Sequence, residues 1–529
     1  MGTNALHIIQ KQSIDITLPD IGTALEWESK ERDGFTKMVQ QQLERCFDEY
    51  TRSGDHFIIG KLDVDLGMFS MNNLHEEMPA RLYAEMRRIL DEHRKRMVKD
   101  EPLFKDSADE GNHEPAKNNT ADKFYTDQQA RLKVFFFFLS NGYLPWWGSG
   151  IANWNEHWLQ KLTPGDITSI REFLSGADDT VTLRLATQFS EIFIRQFIMM
   201  MGITENLVEP WNWLQQVFQA IKNEYAGKIS EPALQGSSSS QQVFSIPFLH
   251  RQYWYGCIEY ALGKQDKPTF LQLIGNNEAA IIFMRQFTQN EGFYPELRKT
   301  IPALWKHEFE TFTEELRKDD NHIKNATDLL TNRNKEAVDE PTKARHSRKD
   351  NLNKKIKEAI EEREKLFVNE AGVVLLHPFL PQLFRNCGWL AKSNVPDRYA
   401  RTMGVYAIYY LATGKTIVPE YELLLPKLLM GIPWEHPLEP VEELSEDNKA
   451  ACNELLVEVV KHWTALRNTS PDGLKEAYLQ RTGKLEYHNG NWRLGIEQKT
   501  QDILLSRLPW GISVIRYPWM ENMLTVTWQ

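Results

Sequence analysis

The sequence predicts a mainly α, multi-domain chain with α+β ends, and three observations carry that expectation. Apolar residues recur at helical spacing through most of the 529 positions, strand-like alternation occurs only toward the two ends, and polar stretches divide the chain into blocks. An apolar share of 41 % with 26 % charged residues excludes wholesale disorder and leaves material for several cores. At about 150 residues per domain, three or four folded units are expected.

The elements follow in order. Residues 1–98 read as an N-terminal α/β unit of strand, helix, strand, helix. Ile14, Ile16 and Leu18 alternate with polar residues, and Pro19-Asp20 opens a helix carrying Leu25, Phe35, Met38, Val39, Leu43 and Phe47. Leu62 to Leu66 alternates again and stops at Gly67, and a second helix runs through Leu82, Met86, Ile89 and Leu90. Residues 99–122 form a polar linker, 123–235 a helical region, 236–242 a Ser-rich break, and 243–318 a second helical region. Within the first of these, 184–201 reads as helical, with Leu185, Phe189, Ile192, Phe193 and Phe197 in register. Residues 319–351 mix both charge signs without an aromatic group and read as a charged linker.

The C-terminal α+β domain, 352–529, is the densest in apolar and aromatic residues. Helices are expected at 397–413, ended by Gly414, at 445–468, and at 471–482, opened by Ser470-Pro471 and stopped by Gly483. His488-Asn489-Gly490-Asn491 between two alternating runs predicts a hairpin. A short helix near 502–508 and a strand at 524–528 complete a domain of helices plus a small antiparallel sheet.

Chemistry is excluded more readily than assigned. Lys+Arg 62 against Asp+Glu 73 leaves −11, which argues against a nucleic-acid coat. Cys46, Cys257, Cys387 and Cys452 lie far apart with no C-x-x-C, so neither a zinc knuckle nor a disulfide framework is expected. No secretory signal and no apolar run near the ~18 residues of a membrane span is visible, so a soluble protein held inside the cell is expected. His307-Glu308 begins like a zinc-protease motif, but Thr311 replaces the second histidine. Gly414-Lys415-Thr416 resembles the end of a phosphate loop, yet Tyr409 stands where its first glycine belongs, and a helix cap explains Gly414 better. G-x-S-x-G is absent, and the carboxylate pairs read as surface charge. No catalytic residue, metal ligand or cofactor site is therefore expected.

Tryptophan is the compositional outlier, with 16 against 17 Tyr, and five follow a proline: Trp146, Trp211, Trp434, Trp510 and Trp519. Indoles bury a large area and keep an N–H in need of a partner, which suits cores and interfaces alike. Trp146, Trp147, Trp434, Trp463, Trp510 and Trp519 are the candidates for a partner interface, with plain core packing as the other reading. A third is a sugar-stacking groove at Trp146-Trp147, Trp154 and Trp158.

An ordered set of short segments carries a family likeness. It comprises Val368 to Pro381 (VNEAGVVLLHPFLP), Tyr410 to Gly414, Pro426 to Pro433, His462 to Ser470, Gln480 to Leu485, Asp502 to Leu505, Leu508-Pro509-Trp510 and Pro518-Trp519-Met520. Leu62 to Gly67 and Phe138 to Trp147 extend it toward the N-terminus. In these segments the chain resembles the tape measure proteins of contractile injection systems, the phage-tail-like particles of bacteria. The resemblance implies a non-enzymatic assembly protein that contacts the inner tube and baseplate hub, with tube-cap proteins as further candidates, and sets tube and sheath length. It implies several copies per particle, cytoplasmic assembly, and packaging within the particle. A fully helical ruler would reach ~1.5 Å per residue, on the order of 790 Å, with the linkers at 99–122 and 319–357 supplying reach. No sustained heptad is present, however, and both ends read as globular. The alternatives are a carbohydrate-binding or carbohydrate-acting protein that uses the tryptophans, and a transient assembly chaperone or adaptor.

Overall fold

The computed structural model describes residues 7, 9, 12–97, 123–225, 246–267, 294–310 and 366–528, apart from 31, 51–55, 71–72, 205, 304, 308, 391–394, 467–468 and 489. The expected linkers at 99–122 and 319–351, and the Ser-rich break at 236–242, lie outside the described residues. Two compact units emerge, the first from residues 1–135 and 147–153, the second from 136–146 and 154–529.

In the first unit, α1 (Ile21–Lys30), α2 (Arg32–Tyr50), β1 (His56–Ile58), α3 (Leu74–Met97) and β2 (Lys123–Tyr125) precede α4 (Asp127–Asn141). Phe35, Val39 and Cys46 of α2 close on Met78, Leu82, Met86 and Leu90 of α3, each set recurring at the three- and four-residue steps that build one helix face. The two alternating runs expected as strands are not strands. Leu62, Val64 and Leu66 do turn toward this core while Asp63 and Asp65 stay exposed. No ladder forms there; instead Arg81 donates to the carbonyls of Leu66 and Met68, and Asp65 accepts the Gly67 N–H in a tight turn. Residues 12–18 likewise lie outside any strand, with Ile14 and Ile16 exposed. Alternation makes a strand only where a partner edge exists. The edge is supplied instead by β1, which pairs antiparallel with β2 through His56↔Tyr125 and Ile58↔Lys123.

The second unit begins with a run of central helices: α5 (Glu156–Leu159), α6 (Pro164–Gly176), α7 (Asp179–Gln188), α8 (Glu191–Met200), α9 (Val208–Tyr225), α10 (Ile246–Ala261) and α11 (Tyr294–Lys299). Local caps set several boundaries. Thr163 and Asp166 form a reciprocal capping box, and Asp178 caps α7. The helical pattern at 184–201 is two helices rather than one, because Phe189 is extended and Ser190 Oγ accepts the Phe193 N–H at 3.1 Å, starting α8 afresh.

The remainder comprises β3 (Leu366–Val368), a 3₁₀ turn at Ala371–Leu376, α12 (Leu380–Asn386), α13 (Arg398–Thr413), α14 (Leu424–Leu429), α15 (Glu446–His462), α16 (Pro471–Leu474), β4 (Gly483–His488), β5 (Asn491–Ile496), β6 (Val514–Ile515) and β7 (Leu524–Trp528). Gly414 ends α13 at φ +75°, its N–H on the Tyr410 carbonyl, and Ser445 and Ser470 cap α15 and α16. A π-helical turn at Lys475–Leu479 follows α16, so the helix stops short of Gly483. Gly483 is not a helix stop: it opens β4, where a side-chain methyl would overlap Ala371 Cβ. The hairpin forms as read, with His488 opposite Asn491 and Gly490 at φ +77°. The sheet order is β3-β4-β5-β7-β6. It is mixed rather than wholly antiparallel, because β7 runs parallel to β5 from Trp492↔Leu524 to Ile496↔Trp528. The connection 497–523, with a 3₁₀ helix at Thr500–Arg507, is long enough to return the chain to the starting end, as a parallel pair requires.

Candidate functional site

A buried charge cluster joins the central helices to the C-terminal half within the second unit. Arg184 of α7 and Lys427 of α14 both point at Glu420, whose side chain has no solvent exposure. Arg184 Nε donates to Glu420 Oε2 at 3.2 Å, and Lys427 Nζ donates to Oε1 at 2.7 Å. The remaining donors end on main-chain oxygens: Arg184 on Leu139 and on Glu435 (2.6 Å), Lys427 on Trp434 and His436 (2.7 Å each). Gln188 Oε1 accepts the Glu420 N–H at 2.9 Å. Burial pulls the Lys427 ammonium below its usual range, and Glu420 is the main group opposing that. Two cations share one carboxylate, so carbonyl dipoles carry the excess positive charge. Gly142, at φ +79°, is required here, since a methyl there would lie 2.6 Å from the Trp434 oxygen and crowd Arg184.

A second buried pair fastens the sheet. Arg481 Nη2 donates to Asp502 Oδ1 at 2.6 Å, while Asp502 Oδ2 accepts from Trp528 Nε1 and the Lys499 N–H, both at 2.7 Å. Nearby, burial and the facing Glu422 carboxylate push Glu370 up to about 7, and Tyr409 donates to Glu422 at 2.6 Å.

The six candidate tryptophans separate. Trp463, fully buried, donates to the Leu504 carbonyl and packs on Tyr478. Trp519 is buried, donates to Leu429 at 3.0 Å and stacks on Tyr517. Trp510 is half-buried, donates to Leu375 at 3.0 Å and meets Phe379 edge-on. Trp434, also half-buried, stands edge-on to Trp492 at 4.7 Å. These four share the large core of the second unit. Half-buried Trp146 belongs to the same unit. Trp147 falls in the first, where it stacks on Tyr125, over which the Lys133 ammonium sits at 4.7 Å. Of the proposed groove, Trp154 stacks on Phe138 and Trp158 is buried against Phe193.

The residues that sequence reasoning missed are Arg184, Glu420, Lys427, Arg481 and Asp502. A signal was present for two of them. Lys427 interrupts Leu423-Leu424-Leu425-Pro426 and Leu428-Leu429, and Arg184 stands between Leu183 and Leu185; a lone charge inside an apolar run is either exposed on a narrow face or paired inside.

Among the described residues, no group of three or more His, Cys, Asp and Glu is placed to hold a metal ion, and no helix is long and apolar enough to cross a membrane. The buried ionic side chains Arg184, Glu420, Lys427, Arg481 and Asp502 are all bonded to main-chain or side-chain partners, in a unit of helices with a small mixed sheet. The chain belongs to the contractile injection system tape measure protein family, whose pattern it matches over residues 6–528. No curated protein and no solved structure matches it.

Proposed function

We propose that this chain is a non-enzymatic assembly component that sets the length of the inner tube and sheath and contacts the tube and the baseplate hub. The observation that carries the reading is the family match, which extends over residues 6–528 and so takes in both compact units. In this reading several copies act per particle, the chain assembles in the cytoplasm, and it is packaged with the tube. Of the six candidates, Trp146, Trp147 and the half-buried edges of Trp434 and Trp510 have surface left to offer a partner, whereas Trp463 and Trp519 are buried in the core.

A second reading, a transient adaptor of the same machine, is favoured by one feature. The longest helix among the described residues, Leu74–Met97, has 24 residues, about 36 Å at 1.5 Å per residue. Mass spectrometry of purified particles, with particle lengths measured by electron microscopy in cells with and without the chain, separates the two. A few copies per particle, and lengths that scatter when the chain is missing, support the length-setting role. Absence from mature particles together with an unchanged length distribution refutes it.

A further inference from the structure

Each of the two polar stretches that read as spacers has both of its flanks in one compact unit. Residues 98–122 lie between α3 and β2, and β2 returns to pair with β1 through His56↔Tyr125 and Phe57↔Phe124. Residues 311–365 lie between the central helices and β3, both in the second unit. Four kinds of contact cross that interval. Arg184 pairs with Glu420, and Gln188 takes the Glu420 N–H. Arg251 of α10 pairs with Glu439 at 2.7 Å, and the Phe138 and Tyr143 rings pack on Tyr421 and Trp434.

We infer that neither stretch adds to the reach of the chain: the flanks of the first are joined by β1–β2 pairing and those of the second by the Arg184–Glu420 pair, and each unit is a fixed-size block. A segment whose two ends are held by the same rigid body contributes nothing to the body's span, whatever its own conformation. Its length enters only the closure entropy, which grows logarithmically and so tolerates insertion and deletion. Separating the flanks of the second stretch means withdrawing Arg184 from the buried Glu420 carboxylate and from the Glu435 carbonyl, and Gln188 from the Glu420 N–H, while Lys427 stays with Glu420 on the C-terminal side. A change in the length of either block therefore requires β1 to part from β2 or Arg184 to leave Glu420.

The inference builds on the length-setting role only for one of its two readouts. The first is independent of it. Spin labels at Glu172→Cys and Glu454→Cys, exposed positions of the second unit on either side of the second stretch, are placed in a Cys387→Ser background. The expected label-to-label distance is the same in the full chain, in a deletion of 320–350, and in a Gly-Ser insertion of equal length. A shift beyond roughly 10 Å in the insertion variant, which leaves every described contact available, overturns the inference.

The second readout is particle length. If the stretch were a spacer, deleting 320–350 would shorten particles by roughly 45 to 100 Å, for helical to extended chain. The expectation is no change in either variant, while removal of the whole chain alters length. Proportional shortening overturns the inference. Should removal of the chain leave length unaltered, the length-setting role fails and the distance measurement alone decides.

Discussion

Replacing Glu420 by Gln isolates the electrostatics of the buried cluster, because the side chain keeps its size while its charge is lost. The structure places two cations on this carboxylate, Arg184 at 3.2 Å and Lys427 at 2.7 Å, with side-chain exposures of 0 % and 2 %. After the substitution both cations stay buried with their main-chain acceptors, facing a neutral amide whose oxygen accepts from one of them and whose NH₂ cannot accept from the other. Removing one partner of a buried pair costs about 3–5 kcal/mol. Two pairs share this carboxylate, so the upper part of that range is expected. At roughly 2–4 °C per kcal/mol for a unit of a few hundred residues, the transition of the second unit should fall by about 8–20 °C. The assay is thermal unfolding of the full chain followed by near-ultraviolet circular dichroism. A triple variant, Arg184→Met, Glu420→Gln and Lys427→Met, should recover much of the loss, since the uncompensated charges are then gone. A drop below about 2 °C in the single variant would refute the reasoning, for it would mean that the carbonyl cage alone holds both cations.

Four further outcomes follow from other sites. Glu370 has its folded-state value raised to about 7, so the folded protein binds its proton more tightly than the unfolded chain does. Its contribution is full below the unfolded carboxyl value and is lost as pH rises from there through about 7, by about 3 kcal/mol in all; melting at pH 5.5 and 8 should show about 2 kcal/mol of that loss in the parent and none in Glu370→Gln. Gly372→Ala would drive a methyl into the Tyr478 carbonyl and should abolish a cooperative melt. Gly414→Ala, with only Lys475 Nζ at 3.7 Å, should cost about 1–2 kcal/mol for its left-handed backbone. Trp519→Ala should lower stability by about 3–5 kcal/mol, read as a shift of the denaturant midpoint, and an unchanged midpoint would show that this indole serves a partner and not the core.

What was legible in the sequence was chiefly what short-range chemistry decides. Asp397 and Gly414 bound α13, Ser445 and Ser470 start their helices, and Gly490 turns the hairpin, each through bonds spanning a few residues. Illegible features depend on partners far along the chain. Ile14 and Ile16 alternate as a strand should, yet nothing in their neighbourhood says whether an edge is available. The parallel placement of β7 beside β5 depends on how the 497–523 connection travels, which its composition does not encode. Gly483 carried a true signal read for the wrong cause, since a glycine after a helix and a glycine packed under a neighbouring side chain look alike in a string. The charge cluster was hidden by distance, Arg184 and Glu420 lying 236 positions apart. The tryptophans stand out by number, but proline before an indole does not reveal which carbonyl its N–H will find.

Those indoles have a practical corollary. Trp463, Trp519, Trp211, Trp254 and Trp305 are all nearly sealed from water, and the emission of an indole moves to longer wavelength when water reaches it. The folded chain should therefore emit toward the blue, and a chain drawn out along a tube should emit toward the red. Its own colour, followed without any attached dye, would report whether loading leaves the blocks closed or pulls them apart.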